Sequence, residues 1–239
     1  SYGSQGTYSS RLTSPAAPSY AWTLNETSGT TATASYGGAG SNGTYSVSGV
    51  TLNQPGAPTG ITDASVTLSG GQIQIPTSTI AGSGKTFTMW FKTTSNGVLL
   101  SKNSVAVGAG SSSSHNPVLY VDNNGYLRAN DYSVFNSSNK TPQPVNDGLW
   151  HHVVFAVSAT DQTLYVDGAK VGTVSGAVDD TGWPFNYAYI GNGWTGGWAD
   201  AASGWMPFQG SIDEVAIYST VFTDADVASQ DAPAPASNI

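Results

Sequence analysis

Before residue 223 the chain has no long window with apolar residues at the i, i+3, i+4 spacing of an amphipathic helix. Short β-type runs, each stopped by Gly, Asn, Asp or Ser, occur instead. The clearest are 44–47, 65–68, 72–75, 86–92, 98–101, 118–121, 151–157, 163–166, 170–174, 187–190 and 211–218. Within 86–92, Phe87, Met89 and Phe91 fall on one face and Thr86, Thr88, Trp90 and Lys92 on the other. That alternation is what a strand with one buried face requires.

The turns agree. Asp167 and Gly168 lie between two β runs, and Asp-Gly accepts the positive φ angles of a two-residue type I′ hairpin. Residues 119–127 read as a second hairpin with a longer loop. Near the end, Thr223 can cap the following N–H groups with Asp226 three residues on, which predicts one short helical turn. Many short strands and almost no helix predict an all-β chain: a two-sheet antiparallel β-sandwich of jelly-roll type, with a closed barrel as the alternative.

Composition narrows what such a fold can do. Seven Lys plus Arg against fifteen Asp plus Glu leave a formal net charge of −8. A field of that sign repels phosphate backbones, so no nucleic acid partner is expected. Charged residues make up only 9% and aromatics 11%, unlike acidic disordered chains, which are poor in aromatics. The longest apolar run, 153–157, is far below the ~20 residues of a membrane-spanning helix, so no membrane span is expected. The absence of cysteine excludes disulfides, thiolate metal sites and cysteine nucleophiles. A cysteine-free, Lys-poor chain rich in Ser, Thr, Gly and Asn fits a secreted, extracellular module. Its opening on Ser1 and Tyr2 fits a mature or excised piece. Pro/Ala runs at 14–18 and 232–236 read as spacers. The expected division is a linker-like segment over 1–18, a sandwich over 19–230 and a Pro/Ala-rich tail over 231–239, one bead of a larger multidomain protein.

Several stretches carry a resemblance: Trp22-Thr-Leu-Asn-Glu-Thr-Ser-Gly-Thr30, Asn42-Gly-Thr-Tyr45, Val118-Leu-Tyr-Val121, Val145-Asn-Asp-Gly-Leu-Trp-His-His-Val153, Thr163-Leu-Tyr-Val-Asp-Gly168 and Gly210-Ser-Ile-Asp-Glu-Val-Ala-Ile-Tyr218. On these the chain resembles the laminin-G-like, concanavalin-A-like jelly-roll domains of secreted actinobacterial proteins, from Ala21 to about Ser229. That fold hosts glycan-binding modules, protein-adhesion modules and glycoside hydrolases, so the resemblance implies a fold and leaves three functions open.

A retaining glycosidase needs two carboxyl groups about 5–5.5 Å apart. The resemblance implies that catalytic members carry them on one strand as Glu-x-Asp-x-(x)-Glu. The two glutamates here, Glu26 and Glu214, lie in no such pattern. No Gly-x-Ser-x-Gly elbow and no phosphate-cradling Gly loop is present. His151 and His152 adjoin on a strand and so point to opposite faces, which predicts that one ring enters the core side with Val153, Phe155 or their neighbours and meets a buried backbone group. His115, in a Ser-rich loop, reads as solvated.

Asp213 stands early in the 211–218 run, in two-residue step with Val215 and Ile217. If that face is buried, its carboxylate needs a partner. Backbone N–H groups could supply it, or a hard cation such as Ca²⁺, which takes carboxylate and carbonyl oxygens. The resemblance implies the cation: an Asp in Ser-Ile-Asp-Glu often helps to hold a structural Ca²⁺ against an N-terminal Gly/Asn-rich loop, here 34–43. Ala34 stands where relatives commonly have Asp, which removes one ligand.

The aromatics give the functional expectation. Four of the seven tryptophans, Trp183, Trp194, Trp198 and Trp205, fall in one loop-like stretch among Gly, Asn and Asp. Indole faces stack on the C–H faces of sugars, and neighbouring amides and carboxylates bond the hydroxyls. Asp179 and Asp180 are the adjacent acid pair before this stretch and would serve there, with solvated loop charge or metal ligation as their other readings. One or two of the rings would instead plug the end of the sandwich, and Trp22 and Trp150 belong to the core. The expectation is a non-catalytic carbohydrate-binding module with polysaccharide or glycan as its partner. A protein-binding adhesion module, or a hydrolase or lyase with unrecognised acids, are the alternatives.

Overall fold

The structure, a computed structural model, describes residues 12–59, 63–131, 139–176, 178, 180 and 182–231. In chain order its strands are β1 (Tyr20–Trp22), β2 (Thr31–Ala32), β3 (Ala34–Tyr36), β4 (Gly43–Tyr45), β5 (Val50–Pro55), β6 (Ala64–Ser69), β7 (Ile73–Ile75), β8 (Lys85–Thr93), β9 (Gly97–Asn103), β10 (His115–Val121), β11 (Leu127–Ala129), β12 (Asn139–Lys140), β13 (Trp150–Val157), β14 (Asp161–Val166), β15 (Ala169–Ser175), β16 (Tyr187–Ile190) and β17 (Gln209–Tyr218). One helix, α1 (Asp224–Asp231), follows them.

The strands form two antiparallel sheets, a β-sandwich of concanavalin A-like type. The first runs β15-β14-β13-β8-β17-β1-β3, with β6 paired to β17 and β5 to β6; the second runs β12-β11-β10-β9-β16-β7-β4-β2. Phe87, Met89 and Phe91 of β8 meet Val153 and Phe155 of β13, Ile212 and Ile217 of β17, and Leu99, Val118, Leu127 and Ile190 of the second sheet in one buried core. The Phe87 and Phe155 rings, cross-strand partners, lie 6.4 Å apart. Trp22 is fully buried and donates its indole N–H to the Ser41 carbonyl at 2.9 Å, as its core assignment requires. Trp150 is not in the core: it opens β13 half-exposed, with the Lys92 ammonium 5.1 Å from its ring centre.

The expectation of one buried face per strand is corrected on β8. Thr86 and Thr88 are buried as well, because a second apolar layer covers the outer face of the first sheet. Val154, Ala156, Ala216 and Tyr218 there pack with Phe222 and Val227 from the α1 region and with Leu12. His152 belongs to this layer, fully buried with its ring 4.8 Å from that of Trp90. The deeply buried histidine is therefore the one stepping with Val154, on the outer face of the sheet, while Val153 and Phe155 face the central core. His151 reaches only the margin of the core, 5.7 Å from Phe91, and its ring nitrogens meet carboxylates rather than backbone.

Local rules hold at the turns. Asp167 and Gly168 have φ of 52° and 76°, the type I′ pair. Asp122 accepts the N–H groups of Asn124 and Tyr126 and closes the β10–β11 hairpin. Thr223 and Asp226 form the reciprocal capping pair: the Asp226 carboxylate takes the Thr223 N–H at 2.8 Å and the Thr223 hydroxyl takes the Asp226 N–H at 3.3 Å. The helix they start is longer than the single turn expected, because Val227 has an apolar layer to dock on.

Candidate functional site

Two constellations stand out. The first lies where β17 changes neighbours. Its edge pairs with β6 over Gln209–Ile212 and with β1 from Val215 onward. Asp213 and Glu214 occupy the gap, and Glu214 takes a φ of 50° in a bulge that adds a residue to β17 against β8. The bulge breaks the two-residue step, so Asp213 does not share a face with Val215 and Ile217. Ala57 and Asp63, from the connection between β5 and β6, lie against the gap. The Ala57 N–H donates to Asp213 Oδ2 at 2.8 Å, and one carboxylate oxygen from each of Asp63, Asp213 and Glu214 lies within 4.8 Å of the others. Gly56 has no side chain because a Cβ there would strike Asp63.

Three carboxyl groups so placed cannot all ionise without a partner. Burial pushes Asp213 up to about 7, against the pull of the Ala57 N–H. Burial, the hydrogen bond that protonated Glu214 donates to Asp63 and the nearby charges push Glu214 to about 9, and burial raises Asp63 as well. Asp213 Oδ1 is buried and has no hydrogen-bond partner. An all-oxygen set with orphaned lone pairs fits a hard cation. The expected partner loop, 34–43, is occupied otherwise. Its Ser41 carbonyl takes the Trp22 indole, and Asn42 Oδ1 takes the Ala34 N–H at 2.9 Å. Sequence reading found Asp213 but missed Asp63 and passed over Glu214. The Gly56 to Asp63 turn was the available signal, but nothing in sequence spacing links position 63 to 213.

The second constellation is aromatic. Trp194 and Trp205 form an isolated bridge with their rings edge-to-face at 5.6 Å. Trp205 also meets Tyr189 edge-to-face at 6.4 Å, and Tyr189 runs parallel to Tyr187 at 6.3 Å. Trp194, Trp205 and Tyr187 keep part of their surface in solvent. The loops that frame them hold one another. Trp205 Nε1 donates to the Gly110 carbonyl at 3.0 Å, Tyr189 Oη accepts the Val107 N–H, and the Asn103 amide oxygen accepts the Trp194 N–H. Trp198 is separate: it covers Val98, Tyr120 and Met206, the plug foreseen for one or two of these rings. Its loop is tied down by Arg128, which pairs with Asp122 at 2.7 Å and with Asp200, and by the Tyr120 hydroxyl on the Ala199 carbonyl. Trp183 is the most exposed of the four at 41%. The structure thus brings Trp194 and Trp205 together with two tyrosines that sequence reading had not included.

Asp180 does not face these rings. It is held by Lys102 at 3.2 Å and by the Gly82 N–H at 3.0 Å, contacts that keep its carboxyl below the usual range against the opposing effect of burial. Lys102 in turn meets the fully buried Asp131 at 2.6 Å. Asp179 lies outside the described residues. His115 is half-buried at the start of β10 rather than free in a loop: its Nδ1 lies 2.7 Å from the Ser112 carbonyl and its Nε2 2.8 Å from the Gly196 carbonyl. His151 borders a groove of about 370 Å³ lined also by Pro142, Pro144, Asp147, Asp167 and Lys170. Hydrogen bonds to Asp167 at 2.8 Å and Asp147 at 3.1 Å raise its pKa.

A family model described as the concanavalin A-like lectin/glucanases superfamily, of laminin G type, matches residues 67–228. Domain 4 of a GH43 extracellular arabinanase from Geobacillus stearothermophilus, solved in complex with arabinotriose, superposes with a TM-score of 0.58 at 18% identity, over 90% of this chain and 98% of that one. Trypanosoma rangeli sialidase superposes with a TM-score of 0.57 at 13% identity, over 88% of this chain and 32% of that one. At such identities the likeness is one of fold. No curated protein matches the chain. The family match extends from β6 through the strand that carries Asp213 and Glu214 into α1, and on it the chain belongs to the laminin G-like family of the concanavalin A-like lectin/glucanases superfamily.

Proposed function

We propose that this chain is a non-catalytic carbohydrate-binding module of an extracellular, multidomain protein, and that it recognises a polysaccharide on the surface formed by Trp194, Trp205 and Tyr187. The observation that carries the reading is the Trp194–Trp205 pair, held edge-to-face at 5.6 Å yet partly open to solvent. Edge-to-face packing fixes both rings before a ligand arrives, so little side-chain entropy is lost on binding. The exposed Asn186 amide and the Ser104 and Ser113 hydroxyls lie on the segments that frame the rings and suit sugar hydroxyls. The domain of the arabinanase that shares the fold was solved with arabinotriose, which makes arabinan a first ligand to test.

Asp63, Asp213 and Glu214 would hold a calcium ion as a structural element. Asp213 and Glu214 are sealed in the sheet almost without solvent contact, with half-buried Asp63 packed over them, so the pair cannot reach a glycosidic oxygen. That favours binding over hydrolysis.

Affinity electrophoresis on gels containing arabinan, xylan, galactan, mannan or soluble cellulose tests the reading. Retardation by at least one polymer is expected, with loss of about 1–3 kcal/mol of affinity in Trp194→Ala or Trp205→Ala. No retardation by any of them, or release of reducing ends from one, overturns it.

A further inference from the structure

The two loops that frame the aromatic surface, 104–114 and 191–208, are joined by His115. Its Nδ1 meets the Ser112 carbonyl of its own loop at 2.7 Å, and its Nε2 meets the Gly196 carbonyl of the other at 2.8 Å. A carbonyl oxygen only accepts hydrogen bonds, and a neutral imidazole carries a single N–H. Only the doubly protonated ring can donate to both. With one proton gone, a nitrogen lone pair faces a carbonyl oxygen at hydrogen-bond distance, and one of the two contacts turns from attraction to repulsion.

What the ring holds is the aromatic surface itself. Gly196 lies against Trp194: a Cβ at 196 would come within 2.7 Å of the Trp194 indole nitrogen. The His115 and Trp194 rings meet edge-to-face at 6.5 Å. The other bond between the two loops near this point is that of Trp205 to the Gly110 carbonyl.

The groups facing His115 are neutral. They are Ser112 on its own loop, Asn103 across from it on β9, and Trp194 and Gly196 from the opposite loop. The adjacent cation on β9, Lys102, is committed to Asp131 and Asp180, and Tyr187 of β16 pairs with Asn103 beyond it. The charge on the far part of the 191–208 loop, Asp200, is paired with Arg128 of β11, which also holds Asp122.

We propose that His115 is a proton-dependent clamp: the doubly protonated ring fixes the tryptophan-bearing loop, and loss of one proton frees it at the Gly196 end. The clamp is a positioning residue and touches no ligand. Its link to sugar binding rests on the function proposed above, but the clamp itself can be read without sugar.

The test follows the full chain between about pH 5.5 and 8, the range over which histidine charge changes. NMR of ¹⁵N-labelled histidine is expected to show His115 with both nitrogens protonated at the acidic end. Hydrogen exchange of the amides in 192–205, corrected for intrinsic rates, should accelerate about tenfold as that proton is lost, the scale of one charge-assisted hydrogen bond. His115→Phe keeps an aromatic ring beside Trp194 but has no donor, and should show fast exchange at every pH. His151→Gln, on the opposite sheet, should leave the step in place. A His115 ring that is a single neutral tautomer at pH 5.5, or exchange in 192–205 that does not follow its protonation, overturns the clamp. If a glycan binds, its affinity should fall with the same pH step, and an unchanged affinity overturns the regulation. If no glycan binds, the binding function fails while NMR and exchange still decide the clamp.

Discussion

Asp63, Asp213 and Glu214 show how one residue's chemistry depends on company that sequence distance hides. Each carboxyl is raised by burial, with Asp213 pushed to about 7 and Glu214 to about 9. The unfolded chain ionises these groups near pH 4. Between pH 4 and about 9 the cation-free native state therefore holds protons that the unfolded state has released, and its stability falls as pH rises. Thermal unfolding of metal-stripped protein should give a lower Tm at pH 8 than at pH 5. Calcium at a concentration about a hundredfold above its Kd at pH 8 should restore about 2.7 kcal/mol there, near 5–10 °C for a domain of this size, and the same concentration should restore less at pH 5, where protons compete for the carboxylates. Asp213→Asn should abolish the calcium increment. An increment that is absent in the parent chain, or retained in the variant, rejects the cation site. Asp213 was readable as a buried acid from its place in a β run. Glu214 was not, because its side depends on a bulge that no periodicity announces.

At the scale of elements, β9 carries an ion pair that ties down one end of the second sheet. Lys102 is nearly without solvent contact and so is Asp131, at 2.6 Å; the Asp131 N–H and carbonyl are both bonded to Gln162 of β14 in the opposite sheet. Removing one member leaves a buried charge alone. Lys102→Met should cost about 3–5 kcal/mol, measured by urea unfolding, while Lys102→Met with Asp131→Leu should recover much of it. Equal loss in the single and double variants would show that the charges do not depend on each other. The hairpins and the α1 start were legible because their determinants are local. Asp167 with Gly168 and Thr223 with Asp226 act over two to four residues. Strands β1, β2, β3, β11 and β12 escaped reading because they are two or three residues long and take their stability from neighbours rather than from an alternating pattern, and β5, six residues of only half-buried alternation, escaped it as well.

For the molecule as a whole, the sandwich closes with help from both ends of the described chain. The Tyr218 hydroxyl donates to the Leu12 carbonyl at 2.7 Å, and the Gln230 amide bonds Ser14 and Tyr218. Leu12 and Val227 then seal the outer face of the first sheet. Leu12→Ala should destabilise the domain by about 2–4 kcal/mol, measured by thermal or urea unfolding, the usual effect of emptying an apolar site. A neutral result would mean that residues 12–18 only rest on the domain.

The sequence by itself determined the class of fold. Two-residue alternation, Asp-Gly turns and the absence of helical spacing act within a few residues, and they leave antiparallel sheet, as a sandwich or a closed barrel, as the way to bury Phe87, Phe91, Val153 and Phe155 together. It also marked the tryptophan-rich stretch and Asp213. Only the tertiary structure decided which tryptophans meet, that His115 spans two loops, and that Asp63 joins an acid 150 positions away. Such contacts come from strand order, the β17 bulge and loop docking, which depend on how distant segments pack rather than on what stands next to each residue.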